Sequence, residues 1–516
     1  MATVTSAGAA RGLAAAGAAA SARARRAPQQ QARRLSSRVC SSRRDSNVDA
    51  LSAEEEEVLD DVLALENGVP AAAQQPRAAE ADSLEVAGLA SLEGHVPISG
   101  AKNSALAVMA GAVLCDGEVL LRRIPGLTDI ESMSAVMRSV GCRVGPGSDA
   151  NTLVVDARVL TSCEPSEQSV KRLRASFFMV GSLLARMGEA RVPLPGGCNI
   201  GLRPVDLHIR GMEALGAKVS IEHGRVNAVA PAGGLRGAKI YLDYPSVGAT
   251  ETILMAAVGA TGETVIANVA QEPEVVDLAN FLNAMGARIE GAGTNSIHVT
   301  GTGLGGLRNP AEFSIIPDRI EAGTFLVAGA ITGSSLSLAP VVPAHLTAAI
   351  AKLQEMGCQV IIEGPERVRI VPTAALKPAD ITTLPYPGFP TDLQSQFTSL
   401  LAHAHGTSVV RETVFEKRMG TVGELQRMGA NIKLIGCDTA VVEGGWVSGT
   451  PLLQGTHVSA SDLRSGAALV LAGLAAEGVT TVHGLKHMDR GYCDFEAKLS
   501  AIGADVRRIS TGDGQW

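Results

Sequence analysis

Hydrophobic and polar positions along this chain follow a pattern that begins again six times. Each round is marked by a phrase in which apolar residues three and four apart run into a glycine. The phrases are MRSVGCRV around Gly141, MEALGAKV around Gly216, LNAMGARI around Gly286, LQEMGCQV around Gly357, LQRMGANI around Gly429 and LSAIGADV around Gly503. The glycines are 75, 70, 71, 72 and 74 residues apart, too regular for chance and longer than the usual solenoid periods. A helical period before the glycine predicts an amphipathic helix, and the glycine predicts its left-handed end. Beyond it the alternation shortens to two, as in CQVIIEGPERVRIVPT from Cys358, which predicts a pair of strands. Upstream of each phrase stand an Ala/Leu-rich helix and a short β-branched strand. Each round therefore reads as a βαβαββ unit, and the fold class is α/β.

The pattern begins only near Ser83. Residues 1–44 contain no Asp or Glu and nine arginines among many Ala and Ser, which is the chemistry of an organellar transit peptide. A secretion signal would carry its charge ahead of a leucine-like core, and here the charge follows a weak alanine run. Residues 45–82 reverse sign, with Glu54 to Glu57, Asp60 and Asp61, and read as an acidic disordered linker.

Length and charge narrow the class further. A chain of 516 residues exceeds one ordinary core, so at least two domains are expected. No stretch approaches the roughly 18 uninterrupted apolar residues of a membrane span, so a soluble protein is expected. A net charge of -7 disfavours a nucleic-acid binder, so anionic ligands must meet local arginines. The eight cysteines form no CxxC pair and no Cys/His spacing suited to zinc, and no metal or cofactor is expected. Apart from Cys198 they are expected to be buried, reduced structural thiols.

When the units are overlaid, the start of the first helix carries a different polar group in each. These are Lys102 and Asn103, Arg174 and Ser176, Ser246 to Thr250, Asp318 to Glu321, Asp392 and Gln394, and Asp462 and Arg464. Asp, Ser and Asn are ordinary helix caps and need no function. Lysine and arginine there oppose the helix dipole, which points to an anion that compensates them. Arg203, Arg418 and Arg490 occupy equivalent loops before the second helices. A single surface arginine is usually a solvated charge, but three at matching places point to a clamp.

The segment RVPLPGGCNIGLRPVDLH holds Cys198 between prolines and glycines, an irregular exposed loop unlike the burial typical of a free cysteine. Arg203 nearby favours its thiolate. Together with ISGAKNSAL from Ile98, KRLRAS from Lys171, YPSVGATET from Tyr244, PTDLQSQF from Pro390, ETVFEKR from Glu412, SDLRS from Ser461 and HMDRGY from His487, this loop resembles the enolpyruvyl transferase family. Within that family the motifs are similar to members that act on UDP-N-acetylglucosamine, and they are spread over residues 83–516.

The resemblance implies a two-domain inside-out α/β barrel of six units. One domain would be built from 83–102 plus 317–516, and a second from 103–316 that carries the cysteine loop. It implies two small-molecule partners, phosphoenolpyruvate and UDP-N-acetylglucosamine, and a monomer or weak homo-oligomer in the plastid stroma. By similarity Cys198 donates a proton to phosphoenolpyruvate and can form a covalent adduct, while Asp392 holds and deprotonates the sugar hydroxyl. Lys102, Arg203, Arg464 and Arg490 grip phosphate and carboxylate, with Asn103 beside them. The nucleotide sugar lies against Asn103, Arg174, Arg203, Pro204, Val205, Asp206, Leu207, Ser246, Val247, Gly248, Asp392 and Val414, with Arg418 and Asp462 in support. The chain departs from some members at Tyr244, where a lysine is found, and at Gln271, where a basic residue is common. Two rival readings are a shikimate-pathway enolpyruvyl transferase and an idle binding paralogue. The PGGC loop and ISGAKNS turn argue against the first, and the presence of every expected reactive side chain argues against the second.

Overall fold

Each unit folds into one small twisted sheet backed by two helices. The computed structural model describes residues 82–516 except 150, 172, 195–203, 304–306, 308–311, 448–449, 452 and 511–516. The expected transit peptide, nearly all of the linker, Cys198 and Arg203 therefore lie outside the described residues.

The third unit gives the plan. Lys239–Tyr241 pairs in parallel with Thr261–Ala267, which pairs antiparallel with Ser296–Thr302, which pairs antiparallel with Arg288–Glu290. A parallel pair needs a crossover connection, and the first helix of the unit supplies it. Three sheets borrow a strand from elsewhere in the chain. Glu312–Ser314 completes the first unit beside Glu118–Arg122, and Gly94–Pro97 completes the fourth beside Leu336–Ala339. Asp82–Ala87 fills the sixth, between Val479–His483 and Val506–Ser510. Among the described residues the second unit has three strands. Its fourth place is held by Cys163, whose carbonyl accepts from Arg191 N at 2.9 Å, and Pro165 just beyond has no N–H with which to extend a ladder.

The six first helices are α1 (Lys102–Ala112), α2 (Met179–Met187), α3 (Val247–Val258), α4 (Arg319–Ile331), α5 (Gln394–His403) and α6 (Leu463–Ala475). They are buried along almost their whole length, so the helices form the centre and the sheets the outside. Small residues make such close packing possible. A Cβ on Gly181 of α2 would lie 2.2 Å from the Thr252 carbonyl oxygen of α3. The buried hydroxyls bond to neighbouring backbone: Ser182 donates to the Ala110 carbonyl at 2.7 Å, and Ser399 to that of Ala468 at 2.9 Å.

The second helices keep one face in solvent. Each closes on its repeat glycine, and those glycines have φ of 93° to 106°, the left-handed conformation expected of them. Apolar side chains form two cores, one from residues 101–315 and one from 84–98 with 320–504. We call these halves lobe 1 and lobe 2. Two chain crossings join them and pair with each other: Ala101 N donates to the Ile316 carbonyl at 2.8 Å, and Asp318 N to that of Ser99 at 2.9 Å. Among the described residues no helix is long and apolar enough to cross a membrane. The expectation of buried thiols needs correction: Cys115, Cys142 and Cys358 are buried, but Cys437 is exposed in a polar hairpin turn and Cys163 and Cys493 are half-buried.

Candidate active site

Four first helices begin beside one another where the lobes meet. Asp318 caps α4, its Oδ1 accepting from Ile320 N at 2.7 Å and Glu321 N at 3.0 Å. Its other oxygen accepts from Lys102 N at 3.3 Å, so one carboxylate serves the first turns of α1 and α4. Asp462 caps α6 in the same way, through Arg464 N at 2.8 Å and Ser465 N at 3.1 Å. Asp392 lies in the short turn Thr391–Leu393 that leads into α5.

Cations and carboxylates alternate across this junction. The buried Lys102 ammonium lies 3.4 Å from Asp129, and the other oxygen of Asp129 accepts from Arg490 Nε at 2.8 Å. Burial lowers the Lys102 pKa, and the charges of Arg464 and Arg490 add to that, while Asp129 and Asp392 oppose it. Asp392 is half-buried and meets Arg418 Nη2 at 2.6 Å and Arg464 Nη2 at 3.7 Å. Burial alone would raise its pKa, but Arg418 and Arg464, helped by Lys102, hold the carboxyl well below the usual range. Arg464 is almost wholly buried, yet among the described residues its Nε and Nη1 have no hydrogen-bond partner, and neither does Arg418 Nε. Buried N–H groups without acceptors are costly, and here they face a collection of cations. The arrangement suits an anion with several oxygens.

Lobe 2 adds a wall beside Asp392. Glu412 is buried and accepts from Thr383 Oγ1, Thr391 Oγ1 and Val414 N, each at 2.8 Å, and from Phe415 N at 3.1 Å. One carboxylate thus ties the turn holding Asp392 to the loop holding Val414. Lobe 1 supplies a second group. Arg174 opens a 3-10 turn, Arg174–Phe178, that packs against both α1 and α3. Ser246 caps α3 by accepting from Ala249 N at 3.3 Å, and a Cβ on Gly248 would meet the His208 ring at 3.3 Å. His208 follows Pro204, Val205, Asp206 and Leu207, stacks edge-on against Phe177 and bonds Thr252 Oγ1 at 3.0 Å. Burial, with the charge of Arg174 second, pushes its pKa down to about 3.

Lys102, Asp392, Arg418, Asp462, Arg464 and Arg490 thus come together at the junction, with Asn103 next to Lys102. Arg174, residues 204–207 and Ser246 to Gly248 form the neighbouring lobe 1 group, and Cys198 and Arg203 lie outside the described residues. Tyr244 is largely exposed, just ahead of the α3 cap. Sequence reasoning missed Asp129, Glu412 and Tyr492 as organising residues. An acid in the first turn of a second helix looks like an ordinary helix acid, so Asp129 gave no signal. Glu412 and Tyr492 stood inside quoted motifs, ETVFEKR and HMDRGY, where a buried partner could have been sought.

The model of the family described as EPSP synthase (3-phosphoshikimate 1-carboxyvinyltransferase) matches residues 86–499. The chain belongs to this family. Within it the chain is 56% identical over 428 residues to the UDP-N-acetylglucosamine 1-carboxyvinyltransferase of Synechocystis sp., covering 83% of this chain and 95% of that one. The enzyme of the same name from Gloeobacter violaceus is 52% identical over 446 residues, covering 86% and 95%. Among solved structures, the enolpyruvyl transferase NikO from Streptomyces tendae superposes with a TM-score of 0.73 at 28% identity, covering 83% of this chain and 99% of that one. An EPSP synthase from Acinetobacter baumannii has a TM-score of 0.64 at 18% identity, covering 84% and 100%, and supports the shared fold. The inside-out architecture expected of an EPSP synthase family member is the one observed.

Proposed function

We propose that this chain transfers the enolpyruvyl group of phosphoenolpyruvate to the 3-hydroxyl of UDP-N-acetylglucosamine and releases phosphate, the first committed step of peptidoglycan precursor synthesis. The observation that carries the reading is 56% identity, over 83% of the chain, to an enzyme named for that reaction. The junction chemistry agrees with it: arginines whose N–H groups lack partners among the described residues surround one carboxylate, which suits binding of an anionic substrate.

In this reading Asp392 takes the proton of the sugar hydroxyl as that oxygen bonds to C2 of phosphoenolpyruvate, and Cys198 delivers a proton to C3. Loss of a C3 proton then expels phosphate and restores the double bond. Lys102, Arg203, Arg464 and Arg490, beside Asn103, hold phosphate and carboxylate through both steps. A carboxyl held as low as that of Asp392 is a weak base while Arg418 and Arg464 face it. Anionic oxygens on the free edge of Arg464 would offset that charge, so arrival of phosphoenolpyruvate makes Asp392 more basic when the base is needed. The nucleotide sugar lies between Arg174, residues 203–207 and Ser246 to Gly248 on one side and Asp392 and Val414 on the other. Arg418 orients Asp392, and Asp462 holds the first turn of α6.

The two cores support the assignment of 83–102 plus 317–516 and of 103–316 as the two domains. The acid-free, arginine-rich residues 1–44 and the cyanobacterial relatives support a chloroplast protein made with a transit peptide. It acts as a monomer or weak homo-oligomer. The test is phosphate release from phosphoenolpyruvate with UDP-N-acetylglucosamine, with shikimate 3-phosphate in parallel and Cys198→Ser as control. Release with the nucleotide sugar alone, lost or sharply altered in Cys198→Ser, is expected. Release with shikimate 3-phosphate alone would install the rival transferase, and none with either would leave an idle paralogue.

A further inference from the structure

Arg464 raises a physical question. It is among the largest fully buried side chains, and among the described residues two of its nitrogens bond nothing, so its hydrogen bonds alone do not fix the plane of its guanidinium. The contact that does is aromatic: Arg464 Cζ sits over the ring of Tyr492, 5.3 Å from its centroid. A ring face holds a planar cation by electrostatics and dispersion without consuming an N–H. The Tyr492 hydroxyl also comes within hydrogen-bonding reach of the guanidinium, and among the described residues Nε and Nη1 still have no partner.

The ring is fixed in turn. Tyr492 Oη lies 2.9 Å from Thr324 Oγ1 and 3.0 Å from Gln396 Nε2. Thr324 already spends its proton on the Ile320 carbonyl at 2.8 Å, so the phenol donates to Thr324 and accepts from Gln396. Gln396 Nε2 also lies 3.0 Å from the Asp392 carbonyl oxygen. Behind the ring stands Phe495, with centroids 4.9 Å apart, and behind that Phe325 at 5.6 Å. Burial pushes the phenol pKa up, which keeps it a neutral donor. These contacts tie three of the helices at the junction to one ring: Thr324 from α4, Gln396 from α5 and Arg464 from α6.

We propose that Tyr492 is a positioning residue of the anion clamp: its ring face, backed by Phe495, sets the plane of Arg464 beside Asp392. The free N–H edge of Arg464 is then presented to the phosphoenolpyruvate oxygens. The inference rests on the reaction proposed above. Arg490 stands two residues earlier, so the same short segment aims two of the cations.

The test compares the wild-type protein with Tyr492→Leu, Tyr492→Phe, Arg464→Lys and the Tyr492→Leu/Arg464→Lys double variant, measuring KM for each substrate and kcat. Tyr492→Leu is expected to raise the phosphoenolpyruvate KM by about ten-fold and to leave the UDP-N-acetylglucosamine KM within about three-fold. Tyr492→Phe, which keeps the face, is expected to restore the phosphoenolpyruvate KM to within about three-fold of wild type. The double variant is expected to be no worse than the weaker single one, since both changes act on one contact. A Tyr492→Leu protein with wild-type phosphoenolpyruvate KM, an equal rise in both KM values, or additive effects in the double variant overturns the inference. If Tyr492→Leu does not fold, Tyr492→Phe decides: a KM rise as large as that of Arg464→Lys overturns it, and a near-wild-type KM upholds it. A wild-type protein that releases no phosphate with either acceptor sinks the reaction itself and the clamp with it.

Discussion

Arg490 Nε of lobe 2 lies 2.8 Å from Asp129 Oδ1 of lobe 1, and the second oxygen of that buried carboxylate faces Lys102. One anion of lobe 1 therefore holds Lys102, at the chain crossing, and Arg490 of lobe 2 at a set separation. Without it Lys102 would be buried among Arg464 and Arg490 with only the more distant Asp392 to offset them.

Asp129→Asn keeps the shape and removes the charge. Leaving a buried charge pair without one partner costs about 3–5 kcal/mol, so the urea midpoint should fall clearly. Turnover per phosphoenolpyruvate, as kcat/KM, should drop on the order of 100-fold, because the clamp loses its preorganisation. The pH profile gives a further check. Lys102 titrates below 10.5 because of burial, and Asp129 is its main support. The alkaline limb of kcat/KM should therefore move to lower pH in Asp129→Asn. An unmoved limb would remove Lys102 from the clamp.

Asp392→Asn separates base from scaffold. If Asp392 accepts the hydroxyl proton, single-turnover rates should fall by about 10²–10⁴-fold with the nucleotide sugar still bound. Its folded pKa is depressed, so its contribution to stability is fully present above the unfolded value near 3.8 and is lost as pH falls toward the folded one. The difference in stability between wild type and variant should thus be flat from neutral pH down to about 5 and shrink only below about 4. A difference that shrinks near neutrality would mean the carboxyl is not held low by Arg418 and Arg464.

The six-unit architecture was legible because its signals are local. Period, glycine position and strand alternation repeat, and each needs only neighbours along the chain. The borrowed strands Gly94–Pro97 and Glu312–Ser314 carry no such mark, and the family resemblance alone indicated that the first strand joins the second half. In the site, the charged residues at helix starts were found because lysine and arginine there violate the dipole. Asp129 and Tyr492 violate nothing. Their roles come from contacts with residues as far away in sequence as Arg490 is from Asp129, and a sequence read one residue at a time cannot supply those. The thiol expectation failed at Cys437 because IGCDTA from Ile435 makes a polar hairpin turn, which leaves the cysteine in solvent despite the general habit of cysteine to be buried.

The repeat glycines can be tested at Gly357. Its φ is +98°, and an added Cβ would meet only Thr373 at an ordinary 3.5 Å, so the cost of alanine there is conformational. Gly357→Ala should lower stability by about 1–2 kcal/mol in urea unfolding. Gly145 is the control, since its φ is not in the left-handed region and a Cβ would meet nothing within 4 Å. Gly145→Ala should be neutral or slightly stabilising, by up to about 1 kcal/mol. Equal effects at the two positions would mean that the left-handed end of the second helix is not what the glycine provides.

His208 should give the protein an acid-side sensitivity of its own. Its folded pKa is down to about 3, from an ordinary 6.5, because burial disfavours the charged ring and Arg174 repels it. The folded protein therefore keeps His208 neutral while the unfolded chain takes a proton as pH drops below 6.5. Protonation of the unfolded state alone stabilises that state, so folding stability is lost as pH falls from 6.5 toward 3 and is unaffected above neutrality. Integrated from pH 6.5 to pH 5, the loss is roughly 2 kcal/mol. The carboxyls of Glu272 and Asp277, whose pKa values burial raises to about 6, act in the opposite sense, gaining stability as pH falls through that value. Total stability against pH is thus a composite, and the difference between wild type and His208→Gln isolates the imidazole. Glutamine keeps a polar group near Thr252 Oγ1 and cannot titrate, so the wild-type advantage should shrink steadily between pH 6.5 and 5 in parallel melting experiments. A difference that is flat across that window would mean the imidazole is hydrated and charged in the folded protein, and that the turn formed by Arg174 and the start of α3 is open to water.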